Sequence, residues 1–309
     1  MMLKDGAVIA IKDCMKVKRG ESVLIVTDTE KFRIGKALFD AAQEIGGEAM
    51  LMMMLPRGKH GEEPPEAVAK AMLGADVILA PTARSITHTK ARKAACEAGA
   101  RAATLPGITE EMFSAGGMVA DYGQIRKRAE ELLKILQGSK EAVIKSGSGT
   151  DLTLELVGRR WFADTGICER PGEFTNLPGG EVYISPRSAY GTLVIDGVMS
   201  GLGVLRSPIT IRVKDGYAVS FEGGRATELE KLLEDSGKAG RNIAELGIGI
   251  NPSARIIGIT LEDEKVAGTL HVALGDDSTI GGDVEAKVHL DGLITEGPRL
   301  FVDGKEVKL

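Results

Sequence analysis

The chain has 309 residues, 43% hydrophobic and 27% charged, and its 39 basic and 44 acidic side chains give a net charge of −5. That length suggests about two domains with a core large enough to need no disulfide staples. The mild acidity leaves no electrostatic footprint for nucleic acid or an anionic membrane, and 4% aromatic residues offer little surface for stacking bases.

Taken in chain order, the N-terminus has neither an apolar core segment nor a small-residue cleavage site, so no signal peptide is expected. No run of about 18 apolar residues follows, so no membrane span is expected either. Ser22 to Thr27 reads as a buried strand, with Asp28 and Thr29 as caps for a helix from about Glu30 to Ile45 that stops at Gly46-Gly47. Glu48 to Leu55 is the next strand, and Pro64-Pro65 opens a helix through about Met72. Ala75 to Ala80 is a strand, Thr89 to Ala98 a helix that stops at Gly99, and Ala100 to Leu105 a strand. Alternation at this spacing predicts βαβ units and a parallel sheet. A charged amphipathic helix from Tyr122 to Gln137 ends at Gly138-Ser139, where the domain boundary is placed.

Beyond it the texture is β-rich. Ala142 to Leu156 reads as a hairpin around Ser146–Gly149, and Lys214-Asp-Gly216 is a strong hairpin turn between Ile209–Val213 and Tyr217–Phe221. A helix from about Arg225 to Glu234 interrupts the strands, which resume at Arg255–Leu261, at His271 and at His289. The expected fold is therefore an N-terminal parallel α/β domain, 1–138, followed by a mostly antiparallel β domain, 139–309. Cys14, Cys96 and Cys168 are too scattered for a zinc ribbon or a disulfide framework, and read as reduced thiols of a cytoplasmic protein.

Four segments of the second domain carry chemistry-bearing residues. Glu181 begins a strand after Pro-Gly-Gly. Glu245 sits among apolar residues and glycines, where a buried carboxylate needs a partner or a metal. His271 lies between Leu and Val. His289 and Asp291, two apart on a strand, project from one face. Two of the chain's four histidines therefore fall here, with three carboxylates. Zinc, cobalt, manganese and iron all accept this mixture of imidazole nitrogen and carboxylate oxygen. Five protein ligands suit two ions about 3.5–4 Å apart with one bridging carboxylate, a pair able to activate water for amide hydrolysis.

In this order, the motifs N-x-P-x-GEV, AELGIGINP, EKVAGTLHVALG and HLDGLI resemble the aminopeptidase T family of metallopeptidases. The resemblance implies an α/β domain, a β-rich catalytic domain, a two-metal centre (zinc, cobalt or manganese) and a homodimer. It assigns Glu181 and His271 to one ion and His289 with Asp291 to the other, bridged by Glu245. It implies a peptide or other small-molecule substrate, attacked by metal-bound water whose proton Glu245, or an unliganded neighbour, accepts. The family's peptidases carry a tyrosine shortly after the GTxH histidine, where this chain has Gly275-Asp-Asp-Ser-Thr279. The same superfamily contains 2,5-dihydroxypyridine dioxygenase, with one iron(II) in a His, His, Asp site that His271, His289 and Asp291 could supply. The expected function is thus a metallo-aminopeptidase, with an iron dioxygenase as the alternative and a non-catalytic binding protein as the third reading. Ser85, Thr87 and His88 could line a cleft, but helix capping by Thr87 or Thr89 is the better reading of that segment.

Overall fold

The computed structural model describes residues 3–309, and the chain forms two compact units. One comprises the chain up to Arg126 together with Asp164–Gly179, and the other Lys127–Ala163 with Gly180–Leu309. The architecture is the parallel α/β plus antiparallel β-rich class implied by the sequence.

The first unit is built on a five-stranded parallel sheet, in the order Glu48–Met54, Ser22–Asp28, Val77–Thr82, Arg101–Pro106, Phe174–Asn176. All six residues of Val77–Thr82 are buried, as a strand covered on both faces requires. The helix Phe32–Ile45 buries Ile34, Leu38, Ala41 and Ala42 and ends on Gly46, whose φ of 89° gives the left-handed C-cap. It starts later than the sequence suggests. The Asp28 carboxylate accepts the N–H groups of Glu30 and Lys31, holding those residues in a turn. Thr89 caps Lys90–Glu97 by accepting the Arg92 N–H. Thr87 is a buried structural residue whose hydroxyl bonds that of Thr104 at 2.7 Å. The fifth strand comes from beyond the helix Tyr122–Leu136, and Asn176 secures it by accepting from Thr104 Oγ1 at 2.7 Å. Periodicity did not reveal the N-terminal helix Leu3–Val8, which runs into a π-helical segment, Ile9–Cys14.

The second unit carries two seven-stranded sheets. The first runs Tyr217–Gly223, Ile209–Lys214, Ser188–Ile195, Asp151–Glu155, Glu141–Lys145, Arg299–Val302, Lys305–Val307. Its hairpin turn is the expected Asp215-Gly216, both with positive φ, as a two-residue turn between twisted strands demands. The other runs Gly203–Val204, Val198–Met199, His289–Ile294, Leu270–Gly275, Ile243–Gly249, Glu181–Ile184, Phe162–Asp164. The strand expected at Arg255–Leu261 does not form. Asp263 Oδ1 accepts the N–H groups of Ile257 and Gly258, and Glu262 accepts that of Arg255, so carboxylates satisfy this backbone and only the short helix Thr260–Asp263 follows. Among the described residues, no helix is long and apolar enough to cross a membrane.

Candidate metal centre

Register gathers the site. Gly249 lies opposite Glu181, Gly247 opposite His271, Ala273 opposite both Glu245 and Asp291, and Gly275 opposite His289. Directly opposed residues share a face, as do alternate residues along a strand. Glu181, Glu245, His271, His289 and Asp291 therefore project from one face of four adjacent strands. The irregularity between Ile243 and Glu245 sets the phase of Glu245.

The side chains form a continuous chain of contacts. His271 Nε2 lies 3.4 Å from Glu181 Oε2 and 3.3 Å from Glu245 Oε1. His289 Nε2 lies 3.4 Å from both Glu245 Oε2 and Asp291 Oδ1. Glu245 thus touches both imidazoles, one with each oxygen. These spacings are long for charge-assisted hydrogen bonds, which run about 2.7–2.9 Å. They equal the separation of neighbouring donors around one ion with bonds of about 2.0–2.2 Å. Donor atoms of Glu181, Glu245 and His271 all lie within 4.8 Å of one another.

The two histidines differ at the ring nitrogen that faces away from the cluster. His289 Nδ1 lies 2.7 Å from the Asp276 carbonyl, which can only accept, so Nδ1 carries the proton and Nε2 is left to ligate. His271, wholly buried, has no hydrogen-bond partner for Nδ1 among the described residues. The residues present fit a divalent ion.

Without an ion the cluster holds its charges in check with protons. Burial opposes a charged His271, but the hydrogen bond to Glu245 and the fields of Glu181, Glu245 and Asp291 outweigh it and raise its pKa to about 9. His289 is likewise disfavoured by burial yet driven well above the usual imidazole range by Asp291 and Glu245. Burial also opposes ionisation of Glu245 and Asp291, but the two imidazoles reverse that and hold both carboxyls below their ordinary range.

Three supporting groups escaped the sequence reading. Lys265 is fully buried, with Nζ 2.5 Å from both Glu181 Oε1 and Glu264 Oε1. Burial pushes the Glu264 carboxyl up to about 8, aided by the charges of Asp291 and Glu181. Asp277, 2% exposed, accepts from Ser185 Oγ at 3.0 Å, Asn242 Nδ2 at 3.1 Å and the Val284 N–H at 2.7 Å. It anchors the segment that offers the Asp276 carbonyl to His289. The Glu-Lys pair before GTxH and the Asp-Asp after it were the available signals. Asp277→Ala is expected to cost about 2–4 kcal/mol in thermal unfolding, because it strands buried donors. It should also weaken metal binding about 10–100-fold by loosening His289. Wild-type affinity in a metal titration would show that this loop does not position His289.

With the geometry established, comparison with known proteins decides between the two enzyme readings. No curated protein sequence matches the chain. Several solved structures share the fold. The 2,5-dihydroxypyridine dioxygenase of Pseudomonas putida KT2440 has 18% identity, covers 99% of this chain and 95% of its own, and aligns with a TM-score of 0.85. Wild-type AmpT from Thermus thermophilus also has 18% identity, over 99% and 96%, with a TM-score of 0.68. The likeness to both shows the fold, and the hydrolase expectation is overturned. The deciding finding is the family model of NicX, 2,5-dihydroxypyridine 5,6-dioxygenase, which matches residues 9–308, and the chain belongs to that family.

Proposed function

We propose that this chain is an iron(II)-dependent dioxygenase that opens the ring of a dihydroxylated pyridine, using one ion per chain where a peptidase centre would use two. The observation that carries the reading is the placement of His271, His289 and Asp291 on adjacent strands of one sheet face, in a chain of this family. Two histidines and one carboxylate with open positions are the ligand pattern of non-haem iron oxygenases. Iron(II), when bound, supplies the one-electron and dioxygen chemistry that side chains lack.

The chain's own groups do the rest. His289 is fixed as the Nδ1–H tautomer by the Asp276 carbonyl. The Ser200 hydroxyl accepts the Asp291 N–H at 3.1 Å, and the Ser200 N–H bonds the Asp291 carbonyl at 2.8 Å, which steadies the strand at the carboxylate. Glu245, held ionised, keeps both imidazoles oriented with one oxygen each.

Anaerobically iron-loaded protein is expected to consume oxygen and 2,5-dihydroxypyridine one for one on admission of air, followed by an oxygen electrode and the loss of pyridine absorbance. Asp291→Ala should lower kcat/KM on the order of a thousandfold, about 4 kcal/mol in barrier. Absence of oxygen uptake by iron-loaded wild type with every dihydroxypyridine isomer would sink the reading.

A further inference from the structure

An aromatic pair shares the sheet face that carries the cluster. Tyr183 lies two residues past Glu181 on one strand, so both side chains leave the sheet on the same side. Register puts Tyr183 opposite Gly247, and Gly247 opposite His271. The three form one row across adjacent strands, all within the second unit. The His271 imidazole occupies the space that Gly247 leaves, since a Cβ there would lie 1.9 Å from Nε2. That nitrogen therefore sits one strand over from Tyr183, a spacing of about 5 Å.

On its other side Tyr183 is backed by Phe162. The strand order places Phe162–Asp164 beside Glu181–Ile184, on the side away from Ile243–Gly249. The two rings stack with centroids 5.8 Å apart and planes 26° from parallel, an offset arrangement that aromatic pairs favour. Phe162 is itself held. The Arg160 guanidinium lies 5.6 Å from its ring centre, and a Cβ on Gly281 would come within 3.3 Å of its Cε2. Arg159 ties Gly281 down by donating to its carbonyl at 2.7 Å. One face of the tyrosine ring is thus covered by phenylalanine, and the opposite face is turned toward the strand that His271 overhangs. Tyr183 is only half-buried, so a ligand can reach it.

We propose that Tyr183 is the wall against which a flat aromatic ring lies while its oxygen atoms meet the metal centre, so that the site selects planar rings over puckered ones. The inference rests on the dihydroxypyridine reading given above and names the residue that recognises the ring. Tyr183 touches the substrate through its ring face. Phe162 is a positioning residue that keeps the tyrosine in place. A ring already held there costs little further ordering when the ligand arrives. A puckered ring cannot lie flat on it and forfeits the stacking.

The test is equilibrium binding to manganese-loaded protein under nitrogen, with two ligands. One is 2,5-dihydroxypyridine. The other is 5-hydroxypiperidin-2-one, its saturated counterpart with the same ring nitrogen and oxygen positions. The ratio of the two affinities is read, because the ligands also differ in the acidity of their hydroxyl groups. That ratio should fall about tenfold in Tyr183→Leu, the size of one aromatic contact, and hold in Tyr183→Phe. Phe162→Leu should lower it in the same direction, and decides alone if Tyr183→Leu does not fold. Manganese affinity should match wild type in all three variants. A wild-type ratio in Tyr183→Leu overturns the inference. So does a lost ratio in Tyr183→Phe, which assigns recognition to the hydroxyl, or a manganese affinity that falls in step with the ratio. Oxygen uptake separates the two claims. The expected ratios with no ring cleavage by iron-loaded wild type refute the proposed reaction and leave the wall standing. Ring cleavage by Tyr183→Leu with an unchanged KM refutes the wall and leaves the reaction standing.

Discussion

Gly247→Ala is expected to strip the protein of its metal while leaving most of the fold standing. Gly247 pairs with His271 across the sheet, between the strand positions of Glu245 and Gly249. A methyl group there would lie 1.9 Å from His271 Nε2, 2.1 Å from Cε1 and 2.7 Å from Cδ2. No small adjustment relieves three such contacts, so the imidazole has to leave its place between Glu181 and Glu245. Glycine is required for this space and not for its backbone, since Gly247 is absent from the positive-φ positions. The added methyl therefore brings overpacking, about 1–3 kcal/mol, and no backbone strain. The loss should fall on binding, because the displaced nitrogen is the one the metal needs. Affinity for manganese or iron should drop on the order of a thousandfold, about 4 kcal/mol. Circular dichroism and a metal titration on the same sample read both effects. Wild-type affinity in the alanine variant would remove His271 from the ligand set.

This substitution also marks the limit of what the sequence discloses. His289 and Asp291 are legible as a pair because two-residue spacing on a strand fixes a shared face. Glu181 and Glu245 are recognisable one by one, as a strand-start Glu and a carboxylate in apolar surroundings. Their approach to the histidines is set by register across four strands, and no local pattern specifies that. Gly247 looks like any glycine of a Gly-rich strand until its partner is known to be His271. Lys265 looks like a solvated turn lysine until burial is measured. The Arg255–Leu261 stretch has strand composition, yet Asp263 and Glu262 take its N–H groups before a neighbouring strand can. Phe174–Asn176 joins the parallel sheet from beyond the Gly138-Ser139 linker, a return of the chain that no composition shift signals. The reaction was the hardest to read. The motifs resemble two enzyme classes at once, and the family match over residues 9–308 is what separates them.

Metal affinity should rise steeply with pH, by about 100-fold per unit between pH 6 and 8. In the metal-free protein His271 titrates at about 9 and His289 well above the usual imidazole range, so both rings are charged at neutral pH. Burial works against those charges, but the surrounding carboxylates outweigh it. An ion needs the Nε2 lone pair of each ring, so binding has to release two protons. Each pH unit then multiplies the apparent association constant by about ten per proton, about 1.4 kcal/mol each. The sign follows from competition: acid favours the imidazolium pair and expels the ion, whereas base favours binding. Glu245 and Asp291 are ionised in both states and add nothing to the slope. The curve should flatten near pH 9, where His271 already releases its proton in the absence of metal. Calorimetric titration with manganese in two buffers of different ionisation enthalpy counts the protons directly. His271→Gln should halve the slope to about tenfold per unit, because only His289 then exchanges a proton for the ion. A slope near zero in wild type would mean that neither imidazole gives up a proton to the metal, and the two histidines would have to be reassigned as ion-pair partners of Glu245.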